Sequence, residues 1–270
     1  AGLAITRRVE MASVDHIRMS DDPSGELTGR TVLPGQRVSI PDDTCLVSGP
    51  GIMPRNDTTA LVTKAGTLRS NIVRSKAQKS MHLSVVTSEK RYTPVVTDQV
   101  LGVVTSKHGD HFRVDIGSSR EAYLPVLAFQ GATKRNRPNI SVGALIYGQI
   151  SIANSDMRPE LTCISPHFKK EWMTGESLFG ELHGGYMFTC STNLVRALLA
   201  QDCLVLSLLG NTLPFEVTIG QNGRVWVKAD TVTHTILAAN CIANSEHLTD
   251  SMTTLMVREL ISASQRGQYT

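Results

Sequence analysis

The sequence predicts a chain of several domains that is mainly β and ends in an α+β unit. Its 270 residues are long for one hydrophobic core and suit two or three small domains. Short apolar segments, separated by turn residues at intervals of about 8 to 12 positions, fill the first half. No convincing helical pattern precedes residue 160, and apolar residues recur at helical spacing only after it.

The first predicted domain is built from short strands. Residues 1–28 are polar, contain SDDPSGE and show no sustained hydrophobic period, so we expect a flexible tail there. A β domain is predicted over residues 29–88. Its first segment, GRTVLPGQRVSI, has a Pro-Gly turn between two apolar stretches, which is typical of a hairpin. Three more β-like segments follow: TCLVSGPGIM, TTALVTKAG and MHLSVVTS.

A second β domain is predicted over residues 89–165. In HFRVDIG, strict alternation places Phe112, Val114 and Ile116 on one face and the polar residues between them on the other. The preceding KHGD is typical of a turn. About five short strands with glycines at the bends are what an OB-type barrel requires.

The C-terminal domain, predicted over residues 166–270, combines helices with a small sheet. STNLVRALLAQ has a helical apolar stripe that Ser191 or Thr192 can cap. PFEVTIGQNGRVWVKA is predicted to form two strands joined at Gln-Asn-Gly. Asp230 can cap a helix over TVTHTILAANCIANSEH. A last helix after Asp250 is predicted to bury one face, made of Met252, Leu255, Met256, Leu260 and Ile261.

The composition is that of a soluble globular protein, with 41% hydrophobic residues and a mean hydropathy of −0.07. The sequence has no run of about 18 apolar residues, so no transmembrane helix is expected. The 5 cysteines are widely spaced and include no CxxC, which predicts neither a disulfide framework nor a zinc site. We therefore expect a reducing intracellular compartment.

Positive charge is concentrated in the middle of the chain. The net charge is only +3, yet residues 64–139 carry 13 Lys/Arg against 5 Asp/Glu. The densest group, in GATKRNRPN, is Lys134, Arg135 and Arg137. Such a field suits a polyanion, because cations that neutralise phosphates release counterions. The alternative is a solvated basic face.

Five segments occur in order over roughly residues 30–250: RTVLPG, SGPG…LVTKAGTLR, KRYTPVVTDQVLGVVTSKHGDHFRVDIG, GATKRNRPNISVGALIYGQISIANSDMRPELTCI and PFEVTIGQNGRVWVKA. In sequence and spacing they resemble the exosome complex component three family, the S1/KH cap subunits of the RNA exosome. The resemblance implies an N-terminal β domain, an S1-type OB barrel that binds RNA, and a KH-type domain.

The resemblance also implies a function. It implies a non-catalytic subunit that stabilises the RNase PH-like ring of the exosome and guides single-stranded RNA into the central channel for 3′-to-5′ processing and decay. The implied partners are the ring subunits, other cap subunits, single-stranded RNA and, indirectly, the catalytic nuclease subunits, with no membrane. The implied location is the nucleus and nucleolus, and also the cytoplasm. The alternative is a free-standing S1/KH RNA-binding protein in ribosome assembly.

The predicted RNA-binding residues are all cations: Lys107, Arg113, Lys134, Arg135 and Arg137. The last three fall in a loop between barrel strands, where they can face phosphates. The same loop can instead contact acidic groups of a neighbouring subunit, or be solvated. Because only 5% of the chain is aromatic, we expect little base stacking and weak, salt-sensitive, sequence-tolerant binding.

A structural role is predicted for Gly220, Asn222 and Gly223. An RNA-binding KH domain clamps the backbone with a GxxG loop between two helices. Here the GQNG tetrad falls between two strands, and the link after NLVRALL is AQDC, which has no glycine. Asn and Gly tolerate the positive φ of a tight turn. The tetrad also resembles the GxNG signature of the family, which is interpreted as packing.

No catalytic site, metal site or cofactor is predicted. An exonuclease needs several carboxylates that converge on a divalent metal. The sequence has no GxSxG, HExxH or P-loop motif, and HGDH is interpreted as a turn and not as a zinc site. These features agree with a non-catalytic family.

Overall fold

The computed structural model describes residues 29–41, 44–56, 58–74, 79–88, 91–154, 156–165, 177–200 and 202–265. The predicted tail over residues 1–28 lies outside the described residues. The chain divides into two compact units that meet in sequence at Ser88 and Glu89, and each is described by itself. The boundary predicted between the barrel and the C-terminal domain stays a prediction.

The N-terminal unit consists of strands alone within its described part. They are β1 (Thr31–Val32), β2 (Arg37–Ser39), β3 (Thr44–Ser48), β4 (Ile52–Asn56), β5 (Thr59–Val62), β6 (Gly66–Arg74) and β7 (Lys79–Val86). One sheet has the order β1-β6-β7-β3 and the other the order β2-β5-β4. Both sheets contribute to one core, in which Leu68, Val62 and Leu83 are almost fully buried.

The predicted hairpin in GRTVLPGQRVSI is wrong. Its Pro-Gly turn is present, since the Gln36 N–H donates to the Leu33 carbonyl at 3.2 Å and Gly35 has a φ of 89°. The flanking strands do not pair with each other, because β1 pairs with β6 and β2 pairs with β5. The turn therefore carries the chain from one sheet to the other.

The second unit begins with a closed barrel. Its strands are β8 (Gln99–Lys107), β9 (His111–Asp115), β10 (Ala122–Pro125), β11 (Leu145–Ile152), β12 (Glu160–Thr162) and β13 (Gly180–Leu182). The order is β12-β10-β9-β8-β11-β13, and β12 also pairs with β11. This last pairing closes the five strands β8–β12 into the predicted OB-type barrel, and β13 extends β11 outside it.

Alternation along β9 is as predicted. Phe112, Val114 and Ile116 each have 0% of their surface exposed, whereas His111 and Arg113 are partly exposed. Gly102 on the neighbouring strand is required by close packing, because a Cβ there would overlap the Cγ1 atom of Val114. The barrel is therefore narrow and filled by side chains, and ligands can reach only its outer surface and its loops.

The C-terminal part of this unit is a small sheet covered by helices. Its elements are β14 (Tyr186–Thr189), α1 (Thr192–Leu199), α2 (Leu204–Gly210), β15 (Phe215–Gly220), β16 (Arg224–Ala229), α3 (Val232–Asn244) and α4 (Asp250–Gln265). The sheet order is β14-β16-β15. The predicted hairpin at Gln-Asn-Gly is confirmed by the antiparallel register of β15 and β16.

N-cap residues were predicted from the sequence for two helices, α1 and α3. Ser191 caps α1, because its Oγ accepts a hydrogen bond from the Leu194 N–H at 3.1 Å. The prediction that Asp230 caps α3 is wrong. Thr231 is the cap, and its Oγ1 accepts from the His234 N–H at 3.2 Å.

The predicted buried face of α4 is partly wrong. Met256, Leu260 and Ile261 pack on the core, but Met252 is 52% exposed and Leu255 is 59% exposed. The buried stripe begins instead at Thr253 and continues through Val257. Among the described residues no single helix is long and apolar enough to cross a membrane, and α1 with α2 reaches that length only as a pair bent by 59°.

Candidate nucleic-acid interface

The cationic loop is defined as residues 133–139, which lie between β10 and β11 of the barrel. Lys134, Arg135 and Arg137 are all exposed. The loop has a defined shape, since the Thr133 N–H donates to the Asn136 carbonyl at 3.0 Å and Arg137 Nε donates to the Lys134 carbonyl at 3.0 Å. The structure thus presents three cations from a short, internally bonded loop.

The cations of this loop are not paired with acidic side chains among the described residues. Within the part of the chain that the structure describes, contacts between a basic and an acidic side chain include Arg224–Asp115, His111–Asp110 and His183–Glu181. None of them includes Lys134, Arg135 or Arg137. An exposed cation without an acidic partner can exchange its counterions for a phosphate.

Lys107 lies beside the loop. Its Nζ donates a hydrogen bond to the Oδ1 of Asn139, two residues beyond Arg137, and lies 5.8 Å from the centroid of the Phe112 ring. The end of β8 is thereby joined to the end of the cationic loop. The structure therefore brings Lys107 next to the loop that carries Lys134, Arg135 and Arg137.

Arg113 is in a different situation. It lies on the outer face of β9, in register with Tyr123 of β10, and is only partly exposed. Its Nε is buried and has no hydrogen-bond partner. Arg113 is therefore less accessible than the loop cations, although it shares the outer surface of the barrel with them.

Three neighbouring rings on the barrel surface, of which His108 and His111 are stacked, were not predicted from the sequence. The ring centroids of His108 and His111 are 4.6 Å apart, and those of His111 and Tyr123 are 4.5 Å apart. The available signal was two histidines flanking a two-residue turn, with a tyrosine on the next strand. Periodicity places such residues on one face but does not predict that their rings touch.

The GQNG tetrad contacts the barrel. Asn222 is 4% exposed, and its Nδ2 donates to the Leu101 carbonyl at 2.7 Å and to the Ile116 carbonyl at 2.8 Å. Its Oδ1 accepts from the Leu101 N–H at 3.2 Å. Next to it, the Gln221 N–H donates to the Gln99 carbonyl at 2.8 Å. All the hydrogen-bonding atoms of the Asn222 amide are used within the protein, so this residue offers none to a nucleic acid.

The two glycines of the tetrad are required by space and by backbone conformation. A Cβ at Gly220 would lie 2.8 Å from the backbone nitrogen of Leu101. Gly223 has a φ of 79°, and a Cβ there would lie 2.7 Å from the Cys190 carbonyl oxygen. Both positions therefore allow the turn to approach the barrel and β14 closely.

An ion pair joins the same turn to the end of β9. Arg224 Nη2 lies 2.6 Å from Asp115 Oδ2, and Arg224 Nη1 donates to the Asp115 carbonyl at 2.5 Å. Burial acts to raise the pKa of the Asp115 carboxyl, but the hydrogen bonds from Arg224 and from the Gly117 N–H outweigh it and lower the pKa below its ordinary value. The Arg224 side chain is only 11% exposed, so this pair is partly shielded from solvent.

The link between α1 and α2 occupies the position of the GxxG clamp in an RNA-binding KH domain. Its described residues are Ala200, Asp202 and Cys203, without a glycine and with one acidic side chain. Among the described residues, no group of three or more His, Cys, Asp or Glu side chains could hold a metal ion. The cations of the barrel are therefore the strongest candidate for contact with a ligand.

The fold and this surface define the class of the protein. An OB-type barrel with a cationic loop, followed by a β-α-α-β-β-α fold, is characteristic of S1/KH proteins. The family described as "Exosome complex component RRP40, S1 domain" matches residues 92–175, and the KH domain family matches residues 185–233.

Whole-chain comparisons lead to one family. The protein is 39% identical to the Homo sapiens exosome complex component RRP40, over 82% of this chain and 86% of the human protein. It is 35% identical to the Schizosaccharomyces pombe exosome complex component rrp40, over 84% of this chain and 93% of the yeast protein. The chain therefore belongs to the RRP40 family of exosome complex components.

A solved structure shows a similar fold. A crystal structure assigned to an exosome complex RNA-binding protein aligns with 66% of this chain and 99% of its own length, with a TM-score of 0.53 and 20% sequence identity. At this identity the likeness concerns the fold alone.

Proposed function

We propose that this protein is a non-catalytic cap subunit of the RNA exosome. In this role it stabilises the RNase PH-like ring and guides single-stranded RNA into the central channel for 3′-to-5′ processing and decay. Membership in the RRP40 family supports the assembly into an exosome. The single observation that supports the contact with RNA is the exposed cationic loop, whose three cations have no acidic partner among the described residues.

The proposed division of labour follows from the chemistry of the surface. Cations that bind phosphates supply affinity without reading the sequence, which suits a conduit for many RNAs. The proposed partners are the RNase PH-like ring subunits, other cap subunits and single-stranded RNA, with the catalytic nuclease subunits reached only through the channel. Bond cleavage belongs to those nucleases, and the protein is proposed to work in the nucleus, the nucleolus and the cytoplasm.

The assembly is tested by size-exclusion chromatography with light scattering on the tagged protein from cell extract. We expect it to elute with RNase PH-like subunits in a large particle. Recovery only as a free monomer would contradict the cap role and favour a free-standing S1/KH protein in ribosome assembly.

The RNA contact is tested by replacing Lys134, Arg135 and Arg137 together with Ala in the assembled particle. Because each phosphate contact contributes about 0.7 to the slope of log affinity against log salt for single strands, we expect that slope to become shallower by about 2. The measurement is capture of single-stranded RNA at several salt concentrations.

A matched control removes three exposed cations from the C-terminal domain, Arg196, Lys228 and Arg258. This variant changes the net charge equally and is expected to keep the salt slope of the wild type. An unchanged slope in the loop variant, or an equal change in both variants, would reject the role of the loop.

A further inference from the structure

The ring column, defined as His108, His111 and Tyr123, lies on the outer surface of the barrel. Its rings come from the turn between β8 and β9, from the first residue of β9 and from β10. His108 and His111 are nearly parallel, with an interplanar angle of 19°, and His111 and Tyr123 are tilted by 31°. His111 is the middle ring, and its side chain is only 22% exposed.

The column does not serve the barrel core. The inward side chains of the same two strands, Phe112 and Leu124, are already 0% exposed. His108 is exposed, so one end of the column presents an imidazole ring to solvent. A planar ligand can stack on an exposed ring that is itself packed on a second ring.

Polar contacts orient both imidazoles. The Nδ1 of His111 lies 3.1 Å from Oδ1 of Asp110, and the Nε2 of His108 lies 3.4 Å from the Oγ of Ser106. These contacts limit rotation of the rings before any ligand arrives. An oriented platform loses less conformational entropy on binding than a freely rotating side chain.

The exposed ring lies next in sequence to one of the predicted cations. Lys107 immediately precedes His108, and its hydrogen bond to Asn139 joins this turn to the end of the cationic loop. A nucleotide at this place would find a cation for its phosphate and a ring for its base. This combination of charge and stacking is how sequence-tolerant proteins bind single strands.

We infer that the ring column is a stacking site for one unpaired nucleobase, which lies on the exposed ring of His108 while Lys107 and the cationic loop hold the flanking phosphates. The inference rests on the proposed function, because it needs RNA at the loop. The stacking site distinguishes single strands from duplexes, which charge alone does not do. A base inside a duplex has both faces covered by its neighbours and cannot stack on His108. The site therefore favours single strands over duplexes.

The test uses the full chain and an oligoadenylate RNA that contains one 2-aminopurine, whose fluorescence is quenched by stacking. We expect His108→Ala to reduce the quenching and to weaken binding by about fivefold or more, since one stacked base contributes roughly 1–3 kcal/mol. The salt slope should not change, because stacking releases no counterions. His108→Phe should retain quenching and affinity, whereas His108→Lys should lose the quenching although it adds charge.

Two controls separate this site from the proposed function. His183 does not belong to the ring column, and its side chain is 78% exposed. The variant His183→Ala also removes an imidazole, and it should bind RNA as the wild type does. The triple Ala variant of the cationic loop tests the phosphate contacts. If that variant binds weakly while His108→Ala equals the wild type, the stacking site is wrong and the phosphate role stands. If the loop variant binds normally, the phosphate role is wrong.

Three further outcomes would overturn the stacking site. They are the absence of quenching with the wild-type chain, better binding by His108→Lys than by His108→Phe, and equal affinity for duplex and single-stranded RNA.

Discussion

Asn222 joins two parts of the chain that are far apart in sequence. Its amide exchanges hydrogen bonds with Leu101, 121 positions away, and donates to Ile116, 106 positions away. A buried polar group that loses its hydrogen-bond partner destabilises the fold, and the same cost applies to the partner that is left behind. The tetrad that resembles a KH clamp is, in this protein, a polar contact between the β15–β16 turn and the barrel.

Replacing Asn222 with Asp keeps the size of the side chain and removes both donated hydrogen bonds. We expect the free energy of unfolding to fall by about 2–4 kcal/mol, because two buried carbonyls lose their donor and face a carboxylate. Urea unfolding followed by the fluorescence of the buried Trp226 measures the loss. Asn211→Asp, on an exposed residue, is the control, and equal stability of the two variants would contradict the role of Asn222.

The Arg224–Asp115 pair predicts a dependence of stability on pH. The folded-state pKa of Asp115 is below its ordinary value of 3.8. The ionised carboxyl therefore contributes fully to the free energy of unfolding above pH 3.8, and this contribution is lost as the pH falls through the folded-state pKa. Arg224→Gln should raise the pKa of Asp115, since burial then acts against fewer compensating hydrogen bonds.

The pKa of Asp115 is measured by NMR titration of its carboxyl carbon in both proteins. Arg196→Gln, on an exposed position of α1, should leave it unchanged. An identical titration of Asp115 in the wild type and in Arg224→Gln would show that the pair does not control this carboxyl.

At the scale of elements, β8 depends on one small residue. Gly102 pairs with Ile146 of β11 on one side and faces the side chains of Val114 and Ile116 on the other. A methyl group at this position has no room, and β8 cannot move away from β9 without breaking the barrel.

Gly102→Ala should therefore lower the free energy of unfolding by about 1–3 kcal/mol through overpacking. Gly109→Ala, in the turn at the end of the same strand, is the matched control, because a Cβ there meets nothing within 4 Å. Thermal unfolding compares the two. A double variant, Gly102→Ala with Val114→Ala, should recover part of the loss, and no difference between the two single variants would contradict the packing argument.

The N-cap of α1 depends on residues close in sequence, whereas the buried face of α4 depends on the elements packed against it. The sequence offered Ser191 or Thr192 as the cap of α1, because a capping hydrogen bond spans only three residues, and the structure has Ser191. On α4 the apolar pattern allowed more than one face, and the core selected the face with Thr253 and Val257. Periodicity counts apolar residues, but only the neighbouring elements decide which of them are covered.

For the whole molecule, burial predicts the reactivity of the thiols. Cys45 is exposed and Cys203 is partly exposed, whereas Cys163, Cys190 and Cys241 are buried. Burial raises the pKa of Cys241 to about 11, and burial together with the charge of Glu246 raises the pKa of Cys190 to about 11. Since the thiolate is the reactive form, these buried thiols are protected twice.

We expect a thiol reagent at about pH 8 to modify Cys45 first and Cys203 more slowly in the folded free chain. All five cysteines should react in urea. Cys45→Ser should remove the fast phase, whereas Cys241→Ser should leave the folded-state kinetics unchanged. Rapid modification of three or more thiols in the folded chain would contradict the burial of the core cysteines.

The distribution of charge also belongs to the whole molecule. The net charge of +3 gives little indication of a polyanion ligand, but a hydrogen bond to Asn139 joins Lys107, at the end of β8, to the loop that carries three further cations. A local concentration of charge produces a field that the average charge does not reveal.

Features that depend on near neighbours could be predicted from the sequence. Alternation identified Phe112 and Val114 as core residues, Asn-Gly chemistry identified the β15–β16 hairpin, and the quoted segments identified the family. These signals are read within a few residues, where backbone sterics and side-chain spacing set the outcome.

Contacts between distant groups could be identified only from the three-dimensional structure. It assigned β1 and β2 to different sheets, formed the ring column, and gave Asn222 its partners on the barrel. Such contacts cross more than a hundred positions or depend on strand register and side-chain rotamers. They are selected by the packing of the complete chain, because each element can bury its surface only against the elements that surround it.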